Sequence, residues 1–275
     1  MTGKQKKAFW NAVQTGLIVM ATLIMLVPIA WIFMAAFKSH VDVYQLKLFF
    51  RPTLENFALV FREPYNLGEK LWNSTLVALA TVVIAIPIAT MAAYSFSRFR
   101  LRGETVMLVT IIATQFVPAV VIILPFFVMF RDVGLLDTRL GLILVNLAIV
   151  MPFAIWMIKG FIDGIPLDTE EAAMVDGSSR LQVIRNIVLP MAAPGLLTAG
   201  IFCFILAWNE FLFALILTSK DAVTLPIGLA LFKAEEGDLW NLLSAAGIII
   251  MLPMFILALM IRKYFVQGMT MGAVR

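Results

Sequence analysis

The stretch GIPLDTEEAAMVDGSSRLQVIRNIVLP, Gly164 to Pro190, interrupts two strongly apolar runs with a polar, glycine-broken pattern. Asp168 is placed to cap a helix, and Glu171 follows it by three residues, the spacing of a capping box. Glu170 and Glu171 fall in the first turn, where the helix dipole favours acids. Ala172 and Ala173 are strong helix formers with little bulk. Gly177 supplies the left-handed turn that ends such a helix. Ser179 with Gln182 offers a second capping box, and Leu181, Ile184 and Ile187 or Val188 recur at helical spacing. Pro190 marks the end. The interval reads as two short helices about a glycine corner, with a small alanine face open to close approach. Local physics leaves two roles for it: a connector packed on its own bundle, or a surface for another molecule.

The rest of the chain sets the context. Its 275 residues are 62% hydrophobic and 14% charged, with a mean hydropathy of +0.97. Soluble domains are nearer about half apolar and about a quarter charged. One core cannot hide this much apolar surface from water, which argues against a soluble enzyme and makes the membrane the solvent. Six segments reach the ~20 apolar residues a spanning helix needs. They lie at 13–37, 71–96, 105–130, 140–163, 191–218 and 240–262. Backbone groups in lipid need internal partners, so helices are the natural spans, and the short alternating segments of a β-barrel are absent. The expected fold is an all-α, polytopic membrane protein with six transmembrane helices in one domain, 1–275. The first segment follows Lys4, Lys6 and Lys7, yet it is too long for a signal peptide and lacks a small-residue cleavage site after it. It is read as a retained helix.

Basic residues near helix ends set orientation. With the N-terminus inside, twelve of the 21 basic residues face the cytoplasm, among them Arg98, Arg100 and Arg102 in a very short loop. The outer loops then hold many acids, including Asp42, Glu63, Asp132, Asp137 and Asp221. Both termini and the Gly164–Pro190 interval become cytoplasmic. Prolines 28, 87, 118, 125, 152, 194 and 253 fall within the spans, where they kink helices whose neighbours satisfy the freed carbonyls.

The chemistry of an enzyme is missing. No phosphate loop and no H-E-x-x-H occurs. The one histidine, His40, has no companion for a metal site or a catalytic triad, and is read as a solvated loop residue. The one cysteine, Cys203, lies in an apolar run and is read as a small hydrophobe. The pI near 9.3 reports orientation and gives no reason to expect nucleic acid.

A resemblance adds to this reading. Glu171-Ala172-Ala173, three residues, Gly177, nine residues, Ile187, one residue and Leu189-Pro190 are in register with the EAA loop of ABC-importer permeases. The stretch WNEFLFAL, Trp208 to Leu215, resembles a late-helix motif of sugar-importer permeases. FVQGMTMGAVR, Phe265 to Arg275, is similar to their C-terminal tail, with Met269 where leucine is common. The chain as a whole is similar to the shorter, six-helix subunit of the maltose-transporter type. This resemblance implies a MetI-like type I ABC importer transmembrane domain, in a bacterial cytoplasmic membrane. It implies several partners: a second, different permease, two ATPase subunits that carry ATP and Mg, and a periplasmic or lipoprotein solute-binding protein. No cofactor and no metal is expected on this chain.

The same resemblance assigns coupling to the ATPase to Glu170, Glu171, Ala172, Ala173, Asp176, Gly177, Leu181, Ile187, Leu189 and Pro190. Glu171 would accept a charge-assisted bond from a basic ATPase residue. Leu181, Ile184 and Ile187 would hold the second helix to the bundle. Gly268, Thr270 and Gly272 would reach the ATPase interface in the tail. Polar residues inside spans are costly and are candidates for function. Asn73 and Ser74 read as solvated at the outer end of the second span. Gln115, Asn146, Asn209 and Glu210 are candidates for the translocation path, with helix contacts as the alternative. Trp208 is equally readable as an interfacial anchor. The expected function is import of a sugar or sugar-like solute. The alternatives are a polyol, a glycerol phosphodiester or another small solute, or a secondary carrier acting alone.

Overall fold

The computed structural model describes residues 3–230, 232–234 and 237–271, with 3–6, 8, 233, 234, 237, 238 and 261–271 described by backbone alone. Helices dominate, because apolar segments of this length satisfy their backbone only internally. The described residues group into two units, one of Met1–Leu67 with Leu229–Leu252 and one of Gly68–Gly228 with Pro253–Arg275.

The first unit begins with α1, Gly3–Ala36. Short helices follow, α2 at His40–Tyr44 and α3 at Glu55–Leu59. His40, expected in a loop, is exposed at the start of α2, and its Nδ1 lies 3.4 Å from Asn241 Oδ1. Ser39 caps α2 by accepting a bond from the Asp42 N–H. Asn56 is buried and ties the unit: its amide donates to the carbonyls of Ala36 and Lys38 and its oxygen accepts from Asn241. Lys38 is fully buried, its ammonium 4.4 Å from the centre of the Trp31 ring. A two-residue antiparallel ladder pairs Lys233 with Asp238 and Ala234 with Gly237.

The second unit carries most of the spans. It holds α4 (Leu67–Arg98, from Gly68), α5 (Glu104–Ala113), α6 (Ala119–Asp132) and α7 (Arg139–Asp163). Beyond these come α8 (Leu167–Val175), α9 (Arg180–Val183), a π-helical turn at Ile184–Val188, and α10 (Leu189–Trp208). Two short helices follow, α11 (Leu212–Leu217) and α12 (Leu225–Ala230, up to Gly228). Its core is built on small residues. Ala85, Ala89 and Ala93 recur along α4 at a spacing of four and meet Val150, Ala154, Ile158 and Ile162 of α7. Ala192, Ala199 and the buried Cys203 of α10 complete this layer. Small residues let membrane helices approach closely, where packing and not the hydrophobic effect holds them together. At Gly195 the approach is closest: a β-carbon there would overlap the Phe161 ring.

Two predicted spans differ from the structure. The third is not one helix: α5, extended by a 3-10 turn at Thr114–Phe116, meets α6 at a bend of 93°. Pro118 causes the break. It has no N–H to donate, and Val117 before it is extended, with ψ 119°, as a residue preceding proline prefers. The fifth segment ends its regular helix at Trp208 instead of 218, and α11 starts afresh after Asn209–Phe211. The last helix, α13, runs Trp240–Met271, so the first part of the predicted tail is helical backbone, while Gly272 lies outside the described residues. Among the described residues five helices are long and apolar enough to cross a membrane, and the bent pair makes a sixth span if counted as one.

Candidate functional site

The Gly164–Pro190 interval folds as two helices at one end of the second unit. Pro166, extended at ψ 129°, stops α7's continuation and leads directly into α8. The cap expected at Asp168 is therefore absent: Asp168 is already inside the first turn, and the N-cap Pro166 has no side-chain donor or acceptor. The other end of α8 closes as its sequence predicts. Gly177 takes φ +91°, its N–H bonds to the Met174 carbonyl at 3.1 Å, and the Ser178 N–H bonds to the Ala173 carbonyl at 3.0 Å. That pair of bonds is a complete Schellman motif, and the left-handed residue at its corner favours glycine. Ser179 and Gln182 then form the second capping box, with the Ser179 N–H donating to Gln182 Oε1 at 2.7 Å.

The two faces of this element differ in chemistry. Glu171, Ala172, Asp176 and Gly177 are exposed, as are Met174 and Val175. Ala173 and Ile187 are half-buried against the core formed by α4, α7 and α10. Leu189 is half-buried and Pro190 exposed at the start of α10. Leu181 departs from its expected role. It is 75% exposed, and Val183 and Val188 hold α9 and the π turn to the bundle instead. Two residues separate them: in the single turn Arg180–Val183, Val183 faces the bundle and Leu181 faces out.

Glu170 also departs from the outward direction expected of it. Only 1% of it is exposed. Its Oε1 accepts from Arg98 Nε at 2.7 Å, and its Oε2 accepts from the Tyr94 hydroxyl at 3.0 Å. Arg98 in turn donates from Nη2 to the carbonyls of Ile162 and Ile165, at 2.9 and 3.0 Å. One buried guanidinium thus joins the end of α4, the end of α7 and the start of α8. Alongside it, the Arg180 guanidinium sits 4.7 Å from the centre of the Phe99 ring.

The polar residues of the spans divide into two groups. Gln115 and Glu210 line one cavity of about 770 Å³, together with Phe116, Pro118, Phe126 and Phe213. Gln115 donates to the Ile149 carbonyl at 3.0 Å. Glu210 accepts from the N–H groups of Phe213 and Ala214 at 2.8 and 3.0 Å, capping α11 at the break in the fifth segment. Asn146 and Asn209 do not line this cavity. Each donates to a carbonyl four residues earlier in its own helix, Leu142 and Ile205 respectively. Trp208 is 1% exposed and stacks on Phe204, which does not fit an interfacial anchor. Among the described residues no cluster of three His, Cys, Asp or Glu side chains gathers as a metal site would.

At the opposite ends of α4 and α7, polar residues form a second knot. Asn73 and Ser74, expected to be solvated, are buried. Asn73 donates to the carbonyls of Asp221 and Val223, both at 3.0 Å, and accepts from Arg139 Nε. Ser74 accepts from the Leu225 N–H at 2.8 Å. Asp137 receives the N–H groups of Ser219, Lys220, Asp221 and Ala222 and the Ser219 hydroxyl. Burial raises its pKa, but these hydrogen bonds outweigh burial and hold the carboxyl at about 2.

The chain has relatives among known proteins over nearly its whole length. Residues 85–271 match the family described as binding-protein-dependent transport system inner membrane component. The chain belongs to this family. Among its relatives is the trehalose transport system permease protein SugB of Mycobacterium tuberculosis, 34% identical, covering 99% of both chains. The trehalose/maltose transport system permease protein MalG of Thermococcus litoralis is 32% identical over 94% of this chain and 95% of its own. Among solved structures, a bacterial ABC transporter involved in the import of the acidic polysaccharide alginate matches with TM-score 0.81. It is 26% identical and covers 94% of this chain and 98% of that one.

In this permease, Arg98 and Tyr94 are the residues that sequence reasoning did not single out. From sequence, Arg98 reads only as a positive charge near a membrane surface. The signal was present: a basic residue in the last turn of one apolar helix and an acid in the first turn of another, each favoured by its own helix dipole.

Proposed function

We propose that this permease is one subunit of an ATP-driven importer that carries a sugar or sugar-like solute across the cytoplasmic membrane. In this reading α8, the Gly177 corner and α9 dock on an ATPase subunit, and both chain termini lie on the same, cytoplasmic side. The observation that carries the reading is the exposed face Glu171, Ala172, Val175 and Leu181, which presents an acid beside small and apolar groups around a corner closed by a Schellman motif and a capping box. The sugar systems named for its relatives support the solute class.

The reading assigns ATP and Mg to two partner ATPase subunits and no cofactor to this chain. It also assigns a second permease and a solute-binding protein as partners. Gln115 and Glu210, on one cavity, are its candidates for contact with solute, and Asn146 and Asn209 serve helix geometry. Gly268, Thr270 and Gly272 belong to the segment assigned to the ATPase interface.

Reconstitution tests it. Sugar-stimulated ATP hydrolysis should require this chain, its partner permease, the ATPase and the binding protein together. Glu171→Ala removes the exposed acid, and Gly177→Asp forces a side chain into a left-handed corner at about 1–2 kcal/mol of strain. Each should cut retention of the ATPase on the permease pair at least tenfold while the binding protein still binds solute. Wild-type transport by both variants would overturn the coupling assignment, and uptake that survives removal of the ATPase would make the chain a stand-alone carrier.

A further inference from the structure

The coupling corner is joined to the bundle in two different ways. On its C-terminal side, α9 passes through the π turn into α10 without a break in the helix. On its N-terminal side only Gly164, Ile165 and Pro166 separate α7 from α8, and a three-residue joint of this kind can bend. What braces that joint is the Glu170–Arg98 pair.

The pair is suited to the task. Both side chains are buried, 1% and 8% exposed. A buried charge that loses its partner is strongly unfavourable, so the two groups stay together or the local packing fails. Every bond has a fixed direction: Glu170 uses both oxygens, and Arg98 addresses the Ile162 carbonyl at the end of α7 and the Ile165 carbonyl inside the joint while it holds the acid. An apolar contact of the same size would hold α8 close but let it slide and rotate. The charges also match the helix ends they occupy, the acid at the start of α8 and the base at the last residue of α4. Finally, Glu170 adjoins Glu171 in sequence, one turned inward and the other outward. A push received on the exposed side of α8 is one residue away from the bond to α4.

Resting on the importer reading above, we propose that Arg98 is a positioning residue for energy coupling. It locks α8 to the ends of α4 and α7, so that displacement of the coupling corner moves these spans and is not absorbed in the Gly164–Pro166 joint. Tyr94 fixes the second oxygen of Glu170 and completes the lock. The lock predicts a separable defect: hydrolysis without transport.

The test uses the whole reconstituted transporter in proteoliposomes. Arg98→Met combined with Glu170→Met removes both charges and leaves no stranded ion. ATP hydrolysis should stay within threefold of wild type, while sugar taken up per ATP falls at least tenfold. Spin labels on the exposed positions Val175 and Arg100 give the second readout. Their distance distribution should be narrow and unchanged by ATP in the wild-type background, and broad in the double variant. Arg98→Lys keeps a charge opposite Glu170 but lacks the guanidinium fork that reaches the Ile162 and Ile165 carbonyls, and should recover part of the uptake per ATP. If the double variant fails to assemble, the lysine variant alone carries the test through the same two quantities. A double or lysine variant with wild-type uptake per ATP and a narrow distance overturns the proposal. A wild-type complex whose hydrolysis ignores the sugar-loaded binding protein would instead overturn the importer reading, whatever Arg98 does.

Discussion

Arg139 Nε lies 2.7 Å from the side-chain oxygen of Asn73, and this single bond spans the starts of α4 and α7. The same amide holds the chain at Asp221 and Val223, so Asn73 serves three segments at once. Asn73→Ala would leave two carbonyls and a guanidinium without their partner. A buried polar group left unsatisfied costs about 1–3 kcal/mol. The expected loss is therefore at least about 2 kcal/mol, read as a lower denaturant midpoint of the purified permease complex in detergent. Asn73→Asp keeps the acceptor for Arg139 but loses both donors, and should fall between alanine and wild type. An alanine midpoint equal to wild type would show that the knot adds nothing to stability.

Asp137 makes a pH-dependent contribution whose sign is set by its low pKa. Its folded carboxyl titrates at about 2 against an ordinary 3.8. A depressed acid stabilises the fold above its ordinary value, and the benefit fades as pH falls through the folded value. The Ser219–Ala222 backbone should thus keep the same hydrogen-exchange protection from pH 7 down to pH 4, once corrected for intrinsic exchange. Asp137 has φ +54°, a conformation asparagine tolerates, so Asp137→Asn removes the charge without straining the backbone. Its protection at those four amides should drop about tenfold, the scale of one charge-assisted bond. Unchanged protection would assign the loop's order to packing alone.

Gly195 and Phe161 test how closely α10 and α7 are packed. Gly195→Val places branched carbon where the Phe161 ring lies. Overpacking of this kind costs typically about 1–3 kcal/mol. Phe161→Ala in the same chain clears the space, so the double variant should be more stable than Gly195→Val alone. Thermal unfolding in detergent, followed by helical circular dichroism, reads the difference. Simple additivity of the two losses would place the ring elsewhere.

Much of this architecture is readable from the chain. Hydropathy over about 20 residues finds spans because lipid imposes that length, glycine at 177 announces its left-handed turn, and serine at 179, three residues before Gln182, announces a capping box. Direction is harder to read. Glu170 and Glu171 are neighbours with the same side chain, and only the position of Arg98, 72 residues away in sequence, decides which one turns inward. Asn73 looked solvated for the same reason, since its partners lie near residues 139 and 221–223. The third span looked continuous because hydropathy counts Pro118 as one mildly apolar residue, although its missing N–H bends the chain by 93°. Leu181 fits a helical stripe by spacing alone, but Val183 is the residue of α9 that is buried against the bundle.

The first helix has a consequence for how the protein is made. Within Phe9–Ala36 of α1, an 18-residue apolar window with a mean hydropathy of 2.6 buries none of its residues within this chain, and the buried residues Ala35 and Ala36 lie at the helix's end. Its partition into the bilayer therefore depends on no segment that the ribosome has yet to deliver. The helix can settle in lipid as soon as it leaves the translocon and hold the growing chain at the membrane. The later, bent and polar-knotted spans, whose groups need one another, then follow an anchor already in the membrane.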